Sequence, residues 1–292
     1  MKKILVTGAN GQLGNEMQLQ AQQNPQYSWF FTDLCNVDEG VAVVTPLDIT
    51  DRDAVETFVQ VNAIDLIINC AAYTAVDRAE GDPDKAMLLN ATAPGYLAEA
   101  IERRCGQLIQ ISTDYVFDGT AHTPYTENAP TSPNSVYGRT KLEGEHAVLT
   151  ANPSALIIRT AWLYSRYGKN FVKTMVRLGS EKQELGVIFD QIGTPTYARD
   201  LANTILTIIR QGIQPGIYHF SNEGVCSWYD FAKTIHRLAG ITTCIVHPLH
   251  TAEYPTPAAR PHYSVLDKTK IKNTYHITIP YWEDSLRDCL TE

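Results

Sequence analysis

The chain lacks the features that mark several common classes of protein. Its 292 residues contain no run of about 18 consecutive apolar residues, the length that a membrane-spanning helix needs. Its six cysteines follow no CxxC or other paired spacing, which argues against a zinc site and favours free thiols. Its net charge of −8 argues against nucleic acid or an anionic membrane as a partner. We therefore expect a cytoplasmic protein that binds neither.

The first 160 residues alternate short apolar runs with helical patterns, which is typical of βαβ units around a parallel sheet. The predicted strands are Lys3–Thr7, Ser28–Asp33, Val41–Leu47, Asp65–Ala71, Gln107–Ser112 and Ala155–Thr160. The predicted helices between them are Gly11–Gln23, Arg52–Val61, Pro83–Arg104 and Tyr137–Thr150. This order predicts an α/β fold with a Rossmann-type, doubly wound parallel sheet.

The pattern changes after Thr160, where predicted helices are separated by short strands and turn-rich loops. These helices are Phe171–Ser180, Ala198–Arg210 and Trp228–Ala239. No clear linker divides the two halves. We expect residues 1–160 to form an NAD(P)-binding domain and residues 161–292 a smaller substrate-binding lobe. The lobe would be partly interleaved with the first domain, with a ligand cleft between them.

A glycine-rich loop, Gly8-x-x-Gly11-x-x-Gly14, follows the first predicted strand and opens the first predicted helix. In that context glycines permit a tight turn and close backbone approach to a pyrophosphate, which the helix N-terminus binds through free N–H groups. Gln12 and Leu13, the first residues of the helix, share this predicted contact. The loop therefore predicts a dinucleotide site.

Two acidic positions bear on the adenosine end of that dinucleotide. Asp33 ends the second predicted strand 19 residues after Gly14, near the spacing of a carboxylate that binds the ribose 2′-OH. A carboxylate repels a 2′-phosphate, so NADH is the simpler expectation, although a Lys or Arg from elsewhere would admit NADPH. Asp48 and Ile49, after the third predicted strand, are expected beside the adenine.

A tyrosine and a lysine, Tyr137 and Lys141, are four residues apart on one predicted helix face. Tyrosine, with a pKa near ~10, is a weak acid at neutral pH unless its surroundings tune it. The Lys141 ammonium would lower the pKa of Tyr137 and bind the nicotinamide ribose. Thr113, 24 residues before Tyr137 at the end of the fifth strand, would donate to a substrate carbonyl. The three residues predict hydride transfer to a carbonyl with Tyr137 as the proton donor.

Together these motifs resemble the extended short-chain dehydrogenase/reductases that act on nucleotide sugars, and the resemblance covers essentially the whole chain. It includes Asn69-Cys70-Ala71-Ala72 between the glycine loop and the Ser/Thr-bearing strand end. The resemblance implies a nicotinamide bound beside Ala71, Ala72, Tyr73 and Thr74. It also implies that the sugar is lined by Thr113, Asp114, Tyr137 and Trp162.

Late in the chain, Arg260 has two interpretations. It could pair with the nucleotide diphosphate, or it could be a solvated loop arginine, and its spacing alone does not separate them. The histidines and carboxylates show no spacing that demands a metal, so none is expected.

The residue after Asp114 narrows the reaction. Nucleotide-sugar 4,6-dehydratases resemble this chain but carry a Glu there as the base that removes a sugar proton. Here the residue is Tyr115, so elimination is not expected and reduction of a 4-keto sugar remains. Two alternatives stay open. One is a 4-epimerase. The other is a non-catalytic protein like the regulatory subunit of methionine adenosyltransferase, which resembles these reductases along its length. A homodimer is a further possibility.

Overall fold

The computed structural model describes residues 1–35 and 42–291. Its strands are β1 (Lys3–Thr7), β2 (Ser28–Asp33), β3 (Val44–Pro46), β4 (Leu66–Asn69), β5 (Gln107–Thr113), β6 (Leu156–Thr160), β7 (Leu163–Tyr164), β8 (Glu184–Ile188), β9 (Ile192–Gly193), β10 (Thr196–Tyr197), β11 (Gly216–His219), β12 (Cys226–Ser227) and β13 (Ile245–Leu249). Its α-helices are α1 (Gln12–Gln22), α2 (Arg52–Val61), α3 (Val76–Ala79), α4 (Pro83–Met87), α5 (Ala93–Glu102), α6 (Val136–Ala151), α7 (Phe171–Glu181), α8 (Ala198–Gln211), α9 (Trp228–Leu238), α10 (Thr269–Tyr275) and α11 (Trp282–Thr291).

A seven-stranded sheet forms the centre of the molecule, in the order β11-β6-β5-β4-β1-β2-β3. All its neighbouring pairs are parallel; β1, for example, pairs with β2 on one side and with β4 on the other. The strand order reverses at β1, because the chain first builds outward through β2 and β3 and then returns to β4. This reversal is the point at which doubly wound sheets bind ligands. The predicted Rossmann-type fold is confirmed.

Both faces of the sheet are covered, because successive side chains of each strand point to opposite sides. On β1, Ile4 and Val6 pack in a core with residues of α1, α8 and α10. Leu5 points the other way, into a core with residues of α2 and α5. Each side chain fully buried in this way contributes about 1.5–3 kcal/mol to stability. The near-continuous apolar strands seen in the sequence are explained by this double coverage.

The chain after Thr160 contributes to both parts of the molecule. Strand β11 extends the central sheet beside β6, and α8 lies against α1. The remaining elements form a smaller unit, in which α7 and α9 pack beside the parallel pair of β8 and β13. A separate core of buried aromatic and aliphatic side chains, including Tyr197 and Phe231, holds this unit together. The division of the chain at residue 160 stays a prediction.

Two of the predicted elements differ from the structure in ways that matter for the site. The third strand is shorter than Val41–Leu47, since β3 spans three residues and residue 41 lies outside the described part of the chain. The predicted helix Pro83–Arg104 is helical without a break over residues 83–102, but it is not regular: a π-helical turn at Leu88–Thr92 separates α4 from α5. Pro94 explains the turn. It has no N–H to donate to the carbonyl of Asn90, four residues earlier, and its ring would clash with that carbonyl in a regular helix.

None of the helices in residues 1–35 and 42–291 has the length and apolar composition that a bilayer crossing requires.

Candidate active site

The glycine loop after β1 lies against the chain segment that follows β4. Gly8 has a φ of +65°, and a Cβ there would come within 2.6 Å of the backbone nitrogen of Ala71. A Cβ on Gly14 would lie 2.3 Å from the Gly8 carbonyl oxygen. Side chains are therefore excluded at both positions. The backbone forms a bare cradle at the start of α1, where Gln12 and Leu13 begin the helix. The cradle fits a dinucleotide pyrophosphate.

The acidic residues predicted at the adenosine end lie beside this cradle. Asp33, at the end of β2, accepts hydrogen bonds from the backbone N–H groups of Asn10 (2.9 Å) and Leu34 (2.8 Å). It therefore holds the glycine loop to the end of the strand. Asp48 is exposed and accepts from the backbone N–H and the hydroxyl of Thr50 (2.9 and 2.7 Å). Ile49 beside it is buried.

The Gln12 side chain makes a connection that the sequence did not predict. Its amide donates to the carbonyl of Leu163 (3.3 Å) and accepts from the side-chain amide of Asn170 (3.0 Å). Both partners belong to the chain after Thr160. The first residue of α1 is thus fastened to the part of the molecule expected to bind substrate.

The predicted catalytic residues converge at the carboxyl end of β5. Thr113 is the last residue of β5, and Ser135 caps α6 by accepting from the Gly138 N–H (3.1 Å). This cap places Tyr137 in the first turn of α6 and Lys141 in the next. Tyr137 lies close enough to Thr113 for the threonine to act on the pKa of its phenol. The predicted trio is brought together by two elements, β5 and α6.

The protonation states of this trio suit proton donation. Burial raises the pKa of Tyr137 to about 12, and the neighbouring Thr113 acts in the opposite direction. The phenol therefore carries its proton at neutral pH. Burial also lowers the pKa of Lys141 to about 8, and its ammonium donates to the Ile111 carbonyl (2.7 Å). The sequence led us to expect that Lys141 lowers the pKa of Tyr137. In the structure that pKa is raised, and burial is the main cause.

Asp114, next to Thr113, is a buried carboxyl with one oxygen in use. Its Oδ1 accepts from the Thr113 hydroxyl (3.0 Å), and Ser264 lies close enough to act on the pKa of the carboxyl. Its Oδ2 has no hydrogen-bond partner among the described residues. Burial raises the pKa of Asp114 to about 6. An unsatisfied buried oxygen of this kind costs free energy, so it marks a place for a ligand hydroxyl.

Tyr115 and Arg260 line the site next to Tyr137. The ring of Tyr115 lies edge-on to that of Tyr137, with centroids 5.5 Å apart. Arg260 lies near the Tyr115 hydroxyl and acts to lower its pKa. The Nη2 atom of Arg260 donates to Asp77 (2.8 Å). The Nη1 atom of Arg260 is buried and has no partner among the described residues. Arg260 is thus no solvated loop residue, and Asp77 holds it next to the Ala71–Thr74 segment.

Trp162 adopts a left-handed backbone conformation, with a φ of +48°. Its ring stacks on Trp228 with centroids 3.5 Å apart and an interplanar angle of 11°. A Cβ on Gly193 would lie 2.7 Å from the same indole, so the glycine makes room for it. A bulky side chain with positive φ is costly and persists where packing enforces it. Here the stack with Trp228 fixes the ring.

Asn90 is a residue whose importance the sequence did not establish. Its side chain accepts from the Tyr73 N–H (2.8 Å) and donates to the Tyr73 carbonyl (3.1 Å) and the Thr140 hydroxyl (3.0 Å). It therefore ties the predicted nicotinamide segment to α6 between Tyr137 and Lys141. Pro94 is the signal that could have revealed it, because the proline forces the π-helical turn on which Asn90 lies. Ser264, Asp77 and Trp228 had no local sequence signal.

No group of three or more His, Cys, Asp or Glu side chains in residues 1–35 and 42–291 is placed to hold a metal ion.

Comparisons with known proteins agree with this geometry. The family model of the RmlD substrate-binding domain matches residues 1–292. A dTDP-4-dehydrorhamnose reductase of Sinorhizobium fredii is 42% identical over 98% of this chain and 95% of its own length. A Streptomyces antibioticus protein named "Probable dTDP-4,6-dihydroxy-2-methyloxan-3-one 4-ketoreductase" is also 42% identical, over 99% of this chain and 94% of its own.

A solved structure of the Bacillus anthracis dTDP-4-dehydrorhamnose reductase, in complex with NADP, shares 38% identity and a TM-score of 0.90, covering 100% of this chain and 99% of its own. The Clostridium acetobutylicum enzyme of the same name reaches 44% and 0.91, over 99% and 98% of the two chains. Family match, sequence relatives and solved structures thus converge on one conclusion: this chain belongs to the dTDP-4-dehydrorhamnose reductase family.

Proposed function

We propose that the chain reduces the 4-keto group of dTDP-4-dehydro-L-rhamnose to give dTDP-L-rhamnose, a precursor for cell-surface polysaccharide. A reduced nicotinamide, NADPH or NADH, supplies the hydride when bound. The Thr113 hydroxyl turns its proton from Asp114 Oδ1 to the C4 carbonyl oxygen. Tyr137 delivers its own proton to that oxygen as charge develops. The Lys141 ammonium binds the nicotinamide ribose and stabilises the resulting tyrosinate. General acid catalysis of this kind contributes about 10²–10⁴-fold in rate.

The observation that carries this proposal is that Thr113 and Tyr137 lie together beside an unsatisfied Asp114 oxygen. The pair supplies one donor and one transferable proton for a single carbonyl oxygen. The free Asp114 Oδ2 can accept from a hydroxyl of the same sugar. Dinucleotide and sugar then meet at the carboxyl edge of β5, next to the glycine cradle.

We assign two further residues to substrate binding. Trp162 presents an indole face to the deoxyhexose, and the unpartnered Arg260 Nη1 donates to an oxygen of the diphosphate or sugar. Ala71, Ala72, Tyr73 and Thr74 would lie along the nicotinamide. Asp33 would bind the adenosine ribose, with Asp48 and Ile49 beside the adenine.

A second candidate substrate deserves a direct test. The Streptomyces antibioticus relative, named for a different dTDP-linked ketone, matches this chain as well as the Sinorhizobium fredii reductase does. Overall identity therefore does not choose between the two sugars. By contrast, Tyr115 in place of a catalytic Glu disfavours the dehydratase reaction. The relatives reported above carry reductase names, which leaves the regulatory alternative without support from them.

The experiment is an absorbance assay at the reduced-nicotinamide band with each substrate and each cofactor in turn. The purified protein is mixed with NADPH or NADH and with either dTDP-4-dehydrorhamnose or the dTDP-linked dihydroxy-methyloxanone. We expect oxidation that depends on dTDP-4-dehydrorhamnose, with kcat/KM at least tenfold above that for the second ketone. A reversed ratio would assign the second substrate. Binding of both cofactors without turnover of either sugar would contradict a reductase.

The setting of the reaction completes the proposal. The six cysteines are unpaired, as expected for a reducing compartment, and we propose that the protein works in the cytoplasm. A homodimer and the absence of nucleic acid as a partner stay predictions. Analytical ultracentrifugation, with and without added DNA, tests both.

A further inference from the structure

An ion pair is enclosed behind the catalytic lysine. Glu145 on α6 and Arg159 on β6 are joined by two hydrogen bonds, Nη2 to Oε2 at 2.6 Å and Nε to Oε1 at 2.9 Å. Their side chains are 1% and 3% exposed. The Ser112 hydroxyl adds a third hydrogen bond to Glu145, at 2.5 Å. Glu145 is thus fixed in one position by two neighbouring strands of the sheet.

Stability alone does not explain this pair. Removing two charges from water costs several kcal/mol per ion, and well-packed apolar side chains in their place are often as stable. The pair is also incompletely satisfied, because the Arg159 Nη1 atom has no hydrogen-bond partner among the described residues. The Arg159 guanidinium lies over the Phe117 ring, 5.1 Å from its centroid, which holds it in place. The position of the pair, one helical turn after Lys141, suggests a role in the active site instead.

Glu145 follows Lys141 by four residues, so the two side chains lie on the same face of α6. Lys141 is 4% exposed, and burial alone would favour its neutral form. The charge of Glu145 acts in the opposite direction and raises the pKa of Lys141 against the effect of burial. The hydrogen bond of Lys141 to the Ile111 carbonyl requires only an N–H, which a neutral amine also has. A nearby negative charge is therefore what favours the ammonium.

The elements next to Lys141 and Glu145 carry other titratable groups. They are Tyr137 on α6, Asp114 and Tyr115 after β5, Cys70 after β4, and His219 on β11 beyond Arg159. Burial keeps Tyr137, Tyr115 and Cys70 protonated and uncharged at neutral pH, because it raises the pKa of each. Burial and Arg159 lower the pKa of His219 to about 3, so it is neutral as well. The shorter helices packed on α6 carry Asp77, Arg78, Asp84 and Lys85.

We propose that Glu145, fixed by Arg159 and Ser112, is a positioning residue that keeps Lys141 in its ammonium form beneath Tyr137. This inference rests on the proposed role of Lys141 in the reductase. It goes beyond the tyrosine–lysine pair itself, because it assigns the state of the lysine to a carboxylate one turn further along the helix. The ion pair then belongs to the active site as its electrostatic support.

The test is Glu145→Gln, with Glu143→Gln as the matched control. Glu143 lies on the same helix, but its side chain is 57% exposed. Two quantities are measured against pH: the 13Cε signal of Lys141 in selectively labelled protein without cofactor, assigned with Lys141→Arg, and kcat/KM of the reductase. For Glu145→Gln we expect both the Lys141 midpoint and the alkaline limb of kcat/KM to fall by about one pH unit, as loss of a neighbouring charge produces. Glu143→Gln should leave both within about 0.2 units, as expected for an exposed charge.

A double variant, Glu145→Gln/Arg159→Met, covers the case in which Glu145→Gln leaves Arg159 uncompensated and does not fold. It removes both charges. If Glu145→Gln folds, the midpoint of the Lys141 titration in the double variant should lie between those of the wild type and of Glu145→Gln. If Glu145→Gln does not fold, the midpoint in the double variant should lie below that of the wild type. A Lys141 midpoint at or above the wild-type value in the folded variants would overturn the proposal. So would a uniform loss of kcat at every pH. Because the NMR titration needs no substrate, it decides the role of Glu145 even if the proposed substrate is wrong.

Discussion

The proposed cofactor side and the proposed substrate side of the active site are built in different ways. The cofactor side is made largely of backbone: Gly8 and Gly14 keep space clear, and Asp33 binds two N–H groups. These residues come from one continuous βαβ unit. The substrate side is made of side chains from distant segments, such as the stack of Trp162 on Trp228 and the ion pair of Arg260.

This difference has a physical reason. A pyrophosphate is the same in every nicotinamide cofactor, and a helix N-terminus with a bare loop binds it without side chains. A particular sugar must be distinguished from others, which requires donors, acceptors and apolar faces set at defined positions. Tyr137 and Lys141 lie at the boundary, where we propose that both ligands meet. Changes on the two sides should therefore separate cofactor affinity from substrate recognition.

The largest expected effect lies at that boundary. Tyr137→Phe removes the transferable proton and should lower kcat by about 10³-fold, within the range for general acid catalysis. The dissociation constant for NADPH should stay within about threefold, because the ring and Lys141 remain. Steady-state kinetics and a fluorescence titration of NADPH measure the two. Tyr115→Phe is the control, since the Tyr115 hydroxyl lies near Arg260 and donates no proton in this scheme. Equal losses of kcat in the two variants would contradict the assignment.

On the cofactor side, we expect the single methyl group that Gly14→Ala adds to have the largest effect on stability and on NADPH binding. Its Cβ would lie 2.3 Å from the Gly8 carbonyl oxygen, so the loop must move. We expect the free energy of unfolding to fall by about 3 kcal/mol, the upper part of the range for overpacking, and NADPH affinity to be lost with it. Gly81→Ala is the control, because its nearest atom lies 3.8 Å away. Thermal unfolding and cofactor titration test this pair; a Gly14→Ala protein with normal NADPH affinity contradicts the cradle.

On the substrate side, Asp114→Asn should stabilise the protein while it weakens substrate binding. The folded-state pKa of Asp114 is raised from 3.8 to about 6. Ionisation of this carboxyl therefore destabilises the folded protein: the destabilisation is absent below pH 4, grows between pH 4 and 6, and is complete above pH 6. By linkage this destabilisation reaches at most about 3 kcal/mol. Urea unfolding at pH 4 and pH 8 should show a gain for Asp114→Asn at pH 8 only.

Asp118→Asn gives a comparison of opposite sign. Hydrogen bonds from Thr120 and Tyr125 lower the pKa of Asp118. Its ionised form therefore stabilises the fold above its unfolded pKa, and this contribution is lost as the pH falls. Asp118→Asn should be destabilised at pH 8. A destabilised Asp114→Asn protein at pH 8 would mean that a partner satisfies the Asp114 carboxylate.

The smallest of these effects concerns the indole stack. Trp162→Phe shortens the overlap with Trp228, and aromatic pairs of this kind contribute about 0.5–1.5 kcal/mol. We expect KM for the dTDP sugar to rise about fivefold to tenfold, with the NADPH dissociation constant unchanged. Trp29→Phe on β2, whose ring stacks on Phe31 with centroids 6.1 Å apart, is the control. An equal change in NADPH affinity for Trp162→Phe would show that the two sides are not separable.

The sequence predicted the cofactor side better than the substrate side, and the reason is local. The glycine loop, β1, β2 and α2 depend on residues close together in the chain, and their predicted bounds agree with the structure to within a residue. The trio of Thr113, Tyr137 and Lys141 could be predicted because a strand end and a helix face have known directions. Strand β11 was missed, because its four residues lie in the turn-rich second half.

The remaining features depend on long-range contacts. Arg260 meets Asp77 across more than 180 residues of chain, and Ser264 meets Asp114 across 150. No local pattern encodes either contact. The π-helical turn is an intermediate case: Pro94 signals an irregularity in the helix, but the use of Asn90 to hold Tyr73 is visible only in three dimensions. The predicted roles of the site residues stay predictions until the variants above are measured.

The most direct test of the account follows the hydride itself. The protein is incubated with dTDP-4-dehydrorhamnose and a reduced nicotinamide carrying deuterium at both C4 positions, and the product sugar is analysed by NMR. The account predicts one deuterium at C4 of the product rhamnose, with no incorporation at C3 or C5. A product that carries only protium at C4, or deuterium elsewhere on the ring, would contradict direct reduction of the 4-keto group at this site.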